Sequence, residues 1–192
     1  MQRALVMTVI GRDRPGLVGA LAALVAAQGG NWLESRMSRL GGHFAGILRV
    51  QVAADKEAAL TGSLKELERE GLTVVVHSDR AEREASATSL ALLEVVGQDR
   101  PGIVHQISHA LASHAVNVEE LDSGCSSAAM SGESLFRARA RLRIPETCNL
   151  ARLRQELEKI AGDLIVDLTL TEVPAEPVTA SSSSPAAARR AV

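Results

Sequence analysis

Apolar and polar positions along this chain fall into short alternating or continuous runs separated by helix-period stretches. Ala4 to Ile10 is an apolar, β-branched run closed by Gly11, the pattern of a buried strand. After an Asp-Arg-Pro-Gly turn, Leu17, Val18, Leu21, Leu24 and Val25 recur at helical spacing, and Gly29-Gly30 marks the end of that helix. Asn31 to Leu40 and Phe44 to Ala53 read as two strands of a hairpin turned at Gly41-Gly42. Leu60, Leu64 and Leu67 mark a second helix ended by Gly71, and Leu72 to His77 is a final strand. The order is β-α-β-β-α-β. It then begins again: Ser89 to Val96 is a strand, and Ile103, Ile107 and Leu111 line a helix. Asn117 to Ser123 and Phe136 to Ile144 follow as strands. Leu150, Leu153, Leu157 and Ile160 mark a helix, and Leu164 to Leu170 a last strand.

The repetition is also written in the residues. Val9-Ile10-Gly11-Arg12-Asp13-Arg14-Pro15-Gly16-Leu17-Val18 returns as Val95-Val96-Gly97-Gln98-Asp99-Arg100-Pro101-Gly102-Ile103-Val104, with seven of ten positions identical. The 86-residue offset continues to Leu21 and Ile107, Asn31 and Asn117, and Glu34 and Glu120. A duplicated stretch of this length implies two copies of one fold, with a site present twice or formed between copies. Each copy is predicted to be an α+β unit of ferredoxin-like type, a four-stranded antiparallel sheet with both helices on one face. The expected boundaries are 1–79, a linker at 80–88, a second unit at 89–172 and a disordered tail at 173–192. The linker is charged and rich in Ala and Ser; the tail is rich in Pro, Ala and Ser without apolar periodicity. The second copy is longer, its pre-strand glycine moving from Gly71 to Gly162, and the loop Gly124 to Gly132 is expected to hold the extra residues.

Composition narrows the function. Of 192 residues 46% are apolar but only 2% aromatic, so each thin core must be built from Leu, Val, Ile and Ala. A net charge of −2 and a pI near 6.2 give no global attraction to nucleic acid or an anionic membrane. Cys125 and Cys148 have neither metal-ligand spacing nor a disulfide framework. No signal-peptide pattern or membrane-length apolar run is visible, which predicts a soluble cytoplasmic protein without a membrane partner.

Candidate chemistry centres on the repeated turn. Asp13 is expected to cap the first helix by accepting from the Gly16 N–H, with Pro15 in the first turn. Gly16 leaves room for close approach, and the free N–H groups of residues 16 to 18 with the helix dipole suit a carboxylate. Asn31, opening the next strand, offers a donor and an acceptor. Any one such turn is also an ordinary way to start a helix; its occurrence twice, each time with an Asn fifteen residues on, adds weight to the site reading. No nucleophile–base pair, phosphate loop or paired carboxylate set suggests an enzyme, and nothing calls for a cofactor. Arg137, Arg139, Arg141 and Arg143 alternate with apolar residues, so all four share the sheet face away from the helices. Balance by Glu119, Glu120 or Asp122 on the adjacent strand, or a protein interface, is favoured over nucleic acid. His105, His109 and His114 are expected to face solvent, and Trp32 to pack in the core or an interface.

The sequence Gly-x-Asp-Arg-Pro-Gly-[Leu/Ile]-Val, followed by a helix and an Asn-initiated strand, resembles the ACT domain, a regulatory module that binds small molecules. Two such domains, with Asn31-Trp32-Leu33-Glu34-Ser35-Arg36-Met37 and Glu119-Glu120-Leu121 in the second strands, are similar to the glycine cleavage system transcriptional repressor family. The resemblance spans Ala4 to Thr171. It implies a non-enzymatic regulator that binds a small amino acid of the glycine or serine class at an interface between ACT units, those of a homodimer included. It further implies action through a partner protein, such as a transcriptional activator, without direct DNA contact. The matching ligand positions are Asp13, Arg14, Gly16, Leu17 and Asn31, with Asp99, Arg100, Gly102, Ile103 and Asn117 in the second copy. Ala115-Val116 in place of Gly29-Gly30 suggests that the two sites differ. The alternatives are an ACT adaptor without ligand and a regulatory subunit of a metabolic enzyme.

Overall fold

A computed structural model describes residues 1–79, 88–127 and 133–173. The chain divides into two compact units, Met1–Arg83 and Glu84–Val192. The first contains β1 (Gln2–Arg12), α1 (Leu17–Ala27), β2 (Asn31–Leu40), β3 (His43–Ala53), α2 (Glu57–Glu66) and β4 (Leu72–Ser78). The second contains β5 (Thr88–Gln98), α3 (Ile103–Ser113), β6 (Asn117–Ser127), β7 (Ser134–Pro145), α4 (Leu150–Leu164) and β8 (Val166–Val173). The sheet orders are β2-β3-β1-β4 and β6-β7-β5-β8, antiparallel at every pairing. These are the two ferredoxin-like units expected. The linker residues 80–87, the hairpin residues 128–132 and the tail residues 174–192 lie outside the described residues. Val173, assigned above to the tail, instead closes β8 opposite Leu90, and Thr88 opens β5.

Strand alternation does the packing. Leu5, Met7 and Val9 of β1 and Leu48, Val50 and Val52 of β3 turn one face onto Leu17, Leu21 and Val25 of α1 and Leu60 and Leu64 of α2. The second core repeats this with Leu93, Val95, Leu142, Ile107, Leu153 and Leu157. Both sheets carry the same irregularity in their outermost strand, a register shift between Trp32 and Glu34 and again between Val118 and Glu120.

Two expectations about the ends of elements are corrected. Gly162 does not stand before the last strand: it lies inside α4, whose capping residue is Ile165 at φ 54°, ψ 55°. The equivalent of Gly71 (φ 83°) is therefore Ile165, since Leu72 pairs with Gly11 as Val166 pairs with Gly97. A β-branched residue in the left-handed region costs about 1–2 kcal/mol. Ile165 is exposed and loses little burial when truncated. Ile165→Gly is expected to raise stability by about 0.5–1 kcal/mol after the entropy cost of glycine in the unfolded chain, as read by urea denaturation. The second correction concerns Gly124 to Ser127, expected in a loop, which extend β6 opposite Arg137 to Ser134.

Candidate functional site

The backbone of the repeated turn is the same in both units, and it differs from the expected cap. The N-cap of α1 is Gly16 in the left-handed region (φ 94°, ψ −6°), and that of α3 is Gly102 (φ 97°, ψ −6°). Neither helix start has a side-chain cap, so Asp13 does not accept from the Gly16 N–H, and Pro15 precedes the helix instead of lying in its first turn. The Gly16 and Gly102 carbonyls accept the first helical bonds, from Ala20 and Gln106, at 2.9 and 3.0 Å. A φ near +95° is the physical demand for glycine here; there is open space around the missing Cβ of Gly16.

Asp13 instead fastens the turn to the hairpin. Its N–H donates to the Gly42 carbonyl at 3.0 Å, and its Oδ2 accepts from Arg39 Nε at 2.6 Å. Arg14 Nη2 reaches Glu70 at 2.7 Å. In the second unit the Asp99 N–H donates to the Ser134 carbonyl at 2.9 Å, but the residue matching Arg39 is Cys125. The Asp99 carboxylate has no cation partner among the described residues; Ser134 Oγ lies 3.5 Å from its Oδ2. Arg100 contacts Gln98 at 3.1 Å. Arg39 and Cys125 escaped the sequence reading, although the 86-residue offset places them at matching positions. Leu17 and Ile103 are core side chains, 4% and 2% exposed, and offer a ligand only their backbone.

Cys125 is exposed, and its pKa is raised, first by desolvation and then by the adjacent Asp99 carboxylate, which disfavours the thiolate. Its alkylation at pH 8 is expected to be slower than that of an ordinary exposed thiol and to quicken in Asp99→Asn. Mass-resolved iodoacetamide kinetics, with the partly buried Cys148 as internal reference, would reveal no change if Asp99 did not act on the sulfur.

Asn31 and Asn117 are the exposed first residues of β2 and β6, the outermost strands of the two sheets. They do not lie beside the turn of their own unit. Asn31 faces Gln51, which faces Ala4, whereas the turn follows Arg12. That is eight residues along β1, or about 26 Å. In the second unit Asn117 faces Arg143, which faces Leu90, with the turn beyond Gln98. The two parts of the candidate site therefore stand at opposite ends of each sheet.

The other singled-out residues have ordinary partners. On the arginine-bearing face, Glu119 accepts from Arg143 Nε at 2.5 Å and lies 3.6 Å from Arg141, while Arg139 pairs with Glu94 of β5 at 3.1 Å. The stripe is thus largely charge-balanced. His105 and His109 stack with centroids 6.3 Å apart, and no group of three metal-ligating side chains occurs among the described residues. His114 does not face solvent as expected: it is half-buried at the end of α3 and meets Glu156 of α4 at 3.0 Å. Trp32 packs against the first core. No helix among the described residues is long and apolar enough to cross a membrane.

The repeated sheet order and the repeated glycine-initiated helix define a tandem architecture of two like α+β domains, and comparison with known proteins gives it a family. The ACT-domain family model matches residues 3–77 and 89–171, and the chain belongs to the ACT-domain family. It is similar to the glycine cleavage system transcriptional repressor of Escherichia coli K12, with 24% identity over 165 residues, 85% of this chain and 86% of that protein. It is 35% identical over 79 residues to UPF0237 protein MK1213 of Methanopyrus kandleri, covering 41% of this chain and 81% of that protein. A crystal structure of an unknown protein from Galdieria sulphuraria superposes with a TM-score of 0.82 at 28% identity, covering 90% of this chain and 99% of the other.

Proposed function

We propose that this protein is a non-enzymatic regulator that binds a small amino acid, of the glycine or serine class, where two ACT units meet. The observation that carries the reading is the separation of the turn from its asparagine. β2 and β6 are sheet edges with unpaired backbone groups on one side. Antiparallel pairing of such an edge with that of another ACT unit sets the start of one strand against the end of the other. The asparagine of one unit then stands beside the turn of its neighbour, and a ligand carboxylate meets the N–H groups at the helix start while its ammonium meets an asparagine oxygen or an aspartate. Ligand and interface stabilise each other, which gives an amino acid leverage over assembly or partner choice. The similarity to a transcriptional repressor of the glycine cleavage system supports a regulatory output; its route in this reading is a partner protein in the cytoplasm, without direct DNA contact.

Titration calorimetry of the full chain with glycine, serine and a panel of other amino acids tests this. Saturable heat for a small amino acid at or below millimolar concentration is expected. Silence across the panel would overturn the sensor reading in favour of an ACT adaptor that only makes protein contacts.

A further inference from the structure

The two units differ where the first helix of each passes over the inner face of the edge strand. In the first unit this region is filled by the chain itself: Trp32 and Met37 pack against the core, and Met37 lies so close over Gly46 that a Cβ there would sit 2.5 Å from its Cγ. Register identifies the matching positions. Trp32 faces Val50 as Val118 faces Leu142; Met37 faces Gly46 as Ser123 faces Ala138; Ser35 faces Leu48 as Leu121 faces Ala140. Tryptophan has become valine, methionine serine and a fully buried leucine alanine, while glycine to alanine and serine to leucine return only part of the lost volume.

The consequence is a cavity of about 180 Å³ in the second unit, between α3 and the sheet. Ala138 and Ala140 form part of its floor, Ile107 and Phe136 contribute from α3 and β7, and Ser108 is its one polar side chain. Val104, Val118 and Leu121 also line it and are 42%, 38% and 50% exposed, so the cavity opens to solvent through an apolar rim. Even a fully enclosed apolar cavity of about 150 Å³ takes up benzene, so a lining of this chemistry and size accepts a small apolar guest. Apolar walls of this kind gain dispersion contacts from a guest of matching shape.

We propose that the second unit carries a binding pocket for a compact apolar group of about six to eight carbon atoms, the hydrophobic end of a small metabolite whose polar end remains in water. Its lining has no group suited to the head of glycine or serine, so this pocket is distinct from the turn-and-asparagine site, although Val118 and Leu121 of its rim lie on the same edge strand as Asn117. The occupant is matched to what the first unit holds in the same place, an aromatic or thioether side chain of its own. Such selectivity would come from shape, with little contribution from hydrogen bonds.

Toluene is the minimal probe. The full-length chain is expected to bind it saturably, with Kd on the order of 1 mM or below, and to show shifts of the Ala138, Ala140, Val118 and Leu121 methyl resonances. Ala140→Leu, which copies Leu48, should fill the cavity, weaken toluene binding at least ten-fold and raise the melting temperature by about 4 °C. Val118→Trp, which copies Trp32 at the exposed rim, should block the same shifts by a route that does not burden the floor. The proposal is overturned if toluene leaves those methyls unmoved in the unaltered protein, or if it binds equally well to a folded Ala140→Leu or Val118→Trp protein.

Discussion

Gly11→Val is expected to destabilise the first unit by about 3 kcal/mol, the largest effect of any single change in the repeated motif. β1 runs between β3 and β4, and Gly11 sits opposite Leu72 on one side and Phe44 on the other. A Cβ at Gly11 would stand 2.5 Å from the Gly71 carbonyl oxygen and 3.2 Å from the Leu72 Cα. These are backbone atoms that cannot swing aside, so relief requires β1 and β4 to part. The second unit makes the same demand: a Cβ at Gly97 would lie 2.8 Å from the Val166 Cα and 2.9 Å from the Ile165 carbonyl oxygen. The other motif glycine answers to a different force. Gly16→Ala meets nothing within 4 Å and pays only for its positive φ, about 1–2 kcal/mol. Urea unfolding of both variants separates the two mechanisms. A Gly11→Val protein as stable as Gly16→Ala would contradict the close approach of β4 to β1.

The first glycine of the motif was legible in sequence only as a strand end, because the atom it avoids lies sixty residues away. What the hydrophobic pattern did carry is every strand and α-helix of both units and the order that joins them, since strand alternation and helix spacing are local properties that the two cores merely use. Asp13 shows where local reasoning fails. Asp-x-Pro-Gly followed by a helix suggests a capping carboxylate, but Gly16 itself serves as N-cap, and the carboxylate reaches across to Arg39 at the end of β2. Capping propensity contains no information about a cation supplied by another strand. Gly162 misled for a similar reason: glycine reads as a stop, yet α4 continues through it, and Ile165 takes the left-handed position at an energetic cost. The separation of Asn31 from the turn was hidden by their closeness in sequence. Eleven residues of α1 carry the chain back about 16 Å to the far end of the sheet before β2 begins. The hollow in the second unit required both sequences and the register together, because none of its alanines or valines is unusual alone.

Asn31→Ala or Asn117→Ala is expected to raise the dissociation constant for the small amino acid about ten-fold or more while leaving the unfolding free energy unchanged. Both asparagines are exposed, and neither side-chain amide has a hydrogen-bond partner among the described residues, so folding gains little from them. In a ligand-bound interface the same amide would contact a charged group out of bulk water, an interaction worth roughly 1.5–3 kcal/mol. The aspartates should divide in a way that the asparagines do not. Asp13 already faces Arg39 at 2.6 Å, whereas Asp99 faces a thiol and a hydroxyl. An incoming ammonium must compete with a guanidinium at Asp13 but meets an unneutralised carboxylate at Asp99. Asp99→Asn should therefore weaken binding more than Asp13→Asn. Trp32, the sole tryptophan, adjoins Asn31 and reports occupancy there by fluorescence. If binding survives Asn31→Ala and is lost in Asn117→Ala, the second asparagine is the working one and the first is idle. If neither substitution alters the calorimetric isotherm, the ligand does not lie between a turn and an edge-strand asparagine, and the geometric argument for an inter-unit site fails.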